Sequence, residues 1–97
     1  MDPVQLDRAI TRLSDCLIPN VWYTTEHCLE VCLQAMPPIR RHVCIAALIH
    51  LFALGIIEVQ RIDVNQRNRA TVQWRRGASD FPPPGAIAVE PVPRRRG

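Results

Sequence analysis

The residue types best suited to chemistry in this 97-residue chain are four cysteines and three histidines. Cys28 and Cys32 stand one helical turn apart, Cys44 follows on the next helical segment, and His27, His42 and His50 lie nearby in the sequence. Thiolate and imidazole are zinc ligands, but this spacing matches no common zinc finger or ribbon. Nucleophilic catalysis by a Cys–His pair needs a third orienting group and an oxyanion donor, and no segment supplies them. The cysteines are therefore expected to be small buried side chains, with no metal, no cofactor and no catalysis.

The second chemical resource is arginine. All twelve basic residues are arginine, and they are unevenly placed. Residues 1–38 carry two arginines against five acids, a net −3, whereas residues 39–77 carry seven against Glu58 and Asp63, a net +5. The rest, 78–97, holds Arg94, Arg95 and Arg96 against Asp80 and Glu90, a net +1. A basic middle in a nearly balanced chain points to a polyanionic partner for that segment.

The elements that must position these residues follow from periodicity and punctuation. Leu6, Ala9, Ile10, Leu13, Cys16 and Leu17 recur at steps of three and four, giving a first helix with Asp2 as N-cap, Pro3 at its opening and Pro19-Asn20 as its stop. Val21, Trp22 and Tyr23 form a short β-prone link. A second helix, about Glu26 to Ala35, starts after an N-cap at Thr24 or Thr25 and ends at Met36-Pro37-Pro38. Pro38 is expected to open a third helix, Ile39 to Leu54, closed by Gly55, with Cys44, Ala47, Leu48 and Leu51 toward the core.

Two alternating strands then flank the tip NQRNR. The first has apolar Ile57 and Val59, then Ile62 and Val64, so the inward parity flips; a β-bulge near Gln60 and Arg61 is expected to restore one apolar face opposite Ala70, Val72 and Trp74. From Gly77 on, five prolines in 21 residues with no periodicity predict a disordered tail. The expected organisation is thus one α+β, mainly α domain over residues 1–77, three helices and a two-stranded hairpin, with a flexible Pro/Arg-rich segment over 78–97.

The order helix, short link, helix, tight turn, helix, glycine, strand, basic tip, strand resembles the winged helix-turn-helix family. The segments TTEHCLEVCLQAMPPIRRHVCIAALIHLFALGIIEVQR and ATVQWRR carry the resemblance, and AALIHLFALGIIEVQR, with a leucine before the glycine that ends the helix, is its most specific part. It spans roughly residues 3 to 77 and implies a third helix in the major groove of duplex DNA, with the hairpin as a wing on phosphates or the minor groove. Mapped onto this chain, Arg40, Arg41 and His42 are the groove candidates. Arg67 and Arg69 at the tip, with Arg61, Arg75 and Arg76, are the phosphate candidates.

The leading expectation is accordingly a non-catalytic DNA-binding protein, a transcription regulator or accessory factor. The alternative arises from the outer face of the third helix, where Ala46, Ile49 and Ala53 suit docking to a protein, in an assembly factor or inhibitor. Surplus apolar surface there, with Trp22 or the tail, points to a homodimer. The apolar run Val43 to Ile57 is shorter than the ~20 residues that span a bilayer. The acidic N-terminus lacks the charge pattern of a signal peptide, so a cytoplasmic location with free thiols is expected.

Overall fold

The computed structural model of the chain describes residues 2–63, 70–83 and 85. Three helices and a three-stranded antiparallel sheet run in the order α1 (Pro3–Cys16), β1 (Tyr23–Thr24), α2 (Thr25–Leu33), α3 (Arg41–Ala53), β2 (Ile57–Asp63) and β3 (Ala70–Arg76). The α+β, mainly α class expected from the sequence is present.

Helix starts follow the capping residues. The Asp2 carboxylate accepts from the Val4 amide at 3.0 Å, with Pro3 in the first turn where its missing N–H costs nothing. After α1, Leu17 turns extended and Asn20 takes a left-handed φ of 66°, reversing the chain. The choice between Thr24 and Thr25 falls on Thr24, whose hydroxyl accepts from the His27 amide at 3.1 Å.

The third helix departs from expectation at its start. Pro38 lies outside it and α3 begins at Arg41, because Ile39 is buried and donates its amide to the Cys32 carbonyl at 3.0 Å. The chain must anchor Ile39 before it can turn into helix. The end of α3 is as expected. Gly55 adopts φ 77°, its amide donates to the Phe52 carbonyl, and the Ile56 amide donates to the Leu51 carbonyl at 2.9 Å. This pair of bonds is a Schellman closure, sealed by buried Leu51 and Ile56.

The sheet has the order β1-β3-β2, so the expected two-stranded hairpin gains a third strand. Tyr23 pairs with Trp74 and Thr24 with Gln73. The expected bulge is not formed: β2 and β3 pair without interruption from Ile57↔Arg76 to Asp63↔Ala70, seven residues against seven. The reason lies in where the core stops. Ile57 is buried, but Val59 and Arg61 on the same side are exposed, so beyond Ile57 little selects for a continuous apolar face.

The core gathers Ala9, Ile10 and Leu13 of α1, Cys28, Leu29 and Cys32 of α2, and Cys44, Ala47, Leu48 and Leu51 of α3. Trp74 packs against it from β3 and donates its indole N–H to the Thr25 hydroxyl at 2.8 Å, which ties the sheet to the start of α2. One core member comes from the segment expected to be a flexible tail. Phe81 is only 8% exposed, and the Gly85 amide donates to the Asp7 carboxylate of α1 at 2.9 Å.

Candidate interaction surfaces

The eight arginine and histidine side chains expected to meet DNA have three different fates. Arg40, Arg41 and His42 are exposed together at the start of α3, and Arg40 is an N-cap with no side-chain hydrogen bond to the helix. The first-turn amides there are joined by no acidic side chain, so the positive end of the helix dipole adds to the cations. Arg61 is exposed on β2. Arg67 and Arg69 lie outside the described residues.

Arg75 and Arg76 have partners within the fold. Register sets Glu58 opposite Arg75, whose Nε is 3.0 Å from the Glu58 carboxylate while its guanidinium stacks 4.6 Å above the centre of the Trp22 ring. Arg76 donates to the carbonyls of Leu17, at 3.2 Å, and Ser14, at 3.4 Å, closing the C-terminal end of α1. Its guanidinium also lies 4.5 Å over the Phe81 ring. A counterion for one and a helix end for the other leave both less available to phosphate than their sequence positions suggest. Two arginines of the acidic first third are likewise engaged: Arg8 donates to the Pro37 carbonyl and Arg12 to the Val31 carbonyl at 2.8 Å.

The outer face of α3 is apolar for most of its length. Ile49 is 56% exposed, Ala53 is exposed and Ala46 is half-buried. Phe52, 49% exposed, and Leu54, 54% exposed, join them and were missed in the sequence reading, although Phe52 stands three residues from Ile49 and so shares its side. Stepping back by fours from Ile49 gives Ile45 and Arg41, so one stripe runs from the cationic start of α3 to its apolar end. His50, half-buried at this end, has a shielded Nε2 with no hydrogen-bond partner among the described residues.

No family model, curated protein or solved structure matches this chain. What it does must be read from its surfaces and their chemistry.

Beside the start of that stripe, α2 contributes charge of the opposite sign. Glu26, Leu29, Glu30, Leu33 and Arg41 line a groove of about 290 Å³ between α2 and α3. Glu26 and Glu30 are exposed and one helical turn apart, and among the described residues neither forms an ion pair. Carboxylates at this place would face the phosphates of any duplex seated along the N-terminal half of α3. Charge totals by segment hid them, since they belong to the acidic first third and meet Arg41 only in the fold.

The cysteine cluster exists, but as packing. Cys28, Cys32 and Cys44 are fully buried, and the Cys44 thiol is 3.5 Å from the Cys28 carbonyl. Burial, with Cys32 nearby, pushes the Cys28 thiol up to about 12. Hydrogen bonding to Cys32 and burial push Cys44 well above the usual thiol range, while Cys32 is drawn down by that same bond and then by the Arg12 charge. Enclosed thiols held in the neutral form, as Cys28 and Cys44 are, make poor nucleophiles and poor ligands. Among the described residues no group of three His, Cys, Asp or Glu side chains is arranged to hold a metal, and no helix is long and apolar enough to cross a membrane.

Proposed function

We propose that this chain is a small protein-interaction module on a winged-helix frame, which docks a partner through the outer face of α3. The observation that carries this is the half-exposed pair Ile49 and Phe52, flanked by Ala46, Ala53 and Leu54, on a helix with no Asp, Glu, Lys or Arg after Arg41. A solvated helix face is polar; an apolar one is normally covered. Covering each of these two side chains would contribute about 1 kcal/mol, roughly half the value of full burial. The winged-helix frame is supported by the element order and by the return of β3 between β1 and β2. Four free cysteines suit a reducing, cytoplasmic setting.

The test replaces Ile49, and separately the exposed Asp15 of α1, with a photo-crosslinking residue in cells that make the protein. A specific protein adduct from position 49 that disappears with Ala53→Asp is expected. Adducts of equal yield from both positions, or none from position 49, would remove the basis for the assignment.

Duplex DNA binding is the second reading, favoured by Arg40, Arg41 and His42 standing exposed at an uncapped helix start. It requires phosphate contacts from these groups in spite of Glu26 and Glu30. A mobility shift on generic duplex that weakens steeply with salt, and is lost when Arg40 and Arg41 are both changed to Gln, would establish it; no shift at low salt would dismiss it.

A further inference from the structure

The α2–α3 surface has a property that bears on which partner it takes: it carries both signs of charge across one apolar strip. Glu26 and Glu30 stand on the α2 side of the groove and Arg41 on the α3 side, and Leu33 of α2, 55% exposed, lines the same groove. The strip then continues along α3 through Ile45 to Ile49 and Phe52. A surface with acids on one flank and a cation on the other is complementary to itself after a half-turn, which is the condition for an isologous contact.

We propose that the occupant is a second copy of this chain, in a two-fold dimer that sets Arg41 of each copy against Glu26 and Glu30 of the other. This rests on the assignment of the α3 face as a protein-docking surface and names its partner. The division of labour follows from the residue types. Ile45, Ile49, Phe52 and Leu33 supply the apolar burial. The exposed charges at the rim fix register and orientation and add little affinity.

Size sets the expected strength. One face of two short helices, the longer about 20 Å, covers roughly 400 Å² per copy, about half of what a standard stable interface buries on each partner. The dimer is therefore reversible and depends on concentration. Within one copy the Glu26 and Glu30 carboxylates are not neutralised by an ion pair among the described residues, so they are available to the second copy without breaking an internal bond.

Sedimentation equilibrium of the full chain across micromolar to millimolar concentrations tests this. The weight-average mass should rise from 11.0 kDa toward twice that value, and Ile49→Asp or Leu33→Asp should hold it at the monomer, with circular dichroism confirming that each variant is folded. Glu30→Arg and Arg41→Glu each set like charges together on both sides of the axis and should weaken association about tenfold, and the double variant should recover part of the loss, because the swap restores one opposite pair across the axis. A wild type that stays monomeric throughout, a dimer indifferent to both aspartate substitutions, or a double variant no better than the singles overturns the proposal. Crosslinking from position 49 to a different protein alongside a monomeric wild type would overturn the dimer and leave the docking assignment standing. No association and no crosslink would remove both.

Discussion

Phe81→Ala probes whether the segment after β3 belongs to the fold. An aromatic side chain of this kind buries about 150–250 Å², worth some 4–6 kcal/mol of gross transfer energy at ~25 cal/mol per Å². Stacking under the Arg76 guanidinium adds about 0.5–1 kcal/mol. Against this stands the ordering of residues 78–83, at about 1 kcal/mol or more of backbone entropy each. The net docking energy is a small difference. Once Phe81 no longer holds the segment, the chain regains that entropy, so the loss is capped at the net value and stays below the ~3–5 kcal/mol of an internal Phe→Ala change. The expected loss is about 1 kcal/mol, or roughly 5 °C in Tm for a domain of this size. Urea unfolding at equilibrium measures it, and truncation after Gly77 should cost a similar amount, with Phe81→Ala adding nothing to the truncated chain. A Phe81→Ala variant within about 0.5 kcal/mol of the wild type, or a truncated chain as stable as the full one, would refute the reasoning.

Gly55→Ala should cost about 1–2 kcal/mol by urea unfolding, from the left-handed φ of 77° alone, since an added Cβ there meets no atom within 4 Å; Gly55→Asn, which tolerates that region, should cost less. The Cys28 thiol has a folded value of about 12 against an ordinary 9.0. The folded state thus holds its proton where the unfolded chain has released it. Its contribution is full below about pH 9 and declines as pH rises toward about 12, with a limiting slope near 1.4 kcal/mol per pH unit. Stability measured by urea at pH 8, 9 and 10 should fall over the last step, and Cys28→Ala should flatten that fall even though it leaves the protein less stable at pH 8.

Much of the fold was legible because its signals are local. Asp2-Pro3, Thr24 and Gly55 each act within a few residues of themselves, and the core face of α3 needs only helical spacing to be found. What escaped depends on partners far along the chain. Tyr23–Thr24 is a strand only because Trp74 and Gln73 lie beside it. The bulge follows from an assumption that all of β2 faces a core, whereas Val59 and Arg61, on the side of buried Ile57, are exposed. Arg75 and Arg76 count as two positive charges in the sequence, yet register supplies Glu58 to one and topology supplies the end of α1 to the other. Phe81 sat unremarked among prolines because no periodicity flags a single anchoring residue. The outer face of α3 was read from Ala46, Ile49 and Ala53, and the structure extended it to Phe52, Leu54 and the glutamates of α2.

The clasping of α1 has a consequence for how the chain is made. Its C-terminal carbonyls wait for Arg76, up to 62 residues later, and Asp7 waits for Gly85, 78 residues later. At roughly 5–20 residues per second of synthesis, the C-terminal carbonyls of α1 stand open for several seconds before Arg76 is made, whereas α2 and α3, which pack on its apolar face, are made sooner. The three helices can therefore pack together before the sheet is complete, with the end of α1 secured only when β3 joins them.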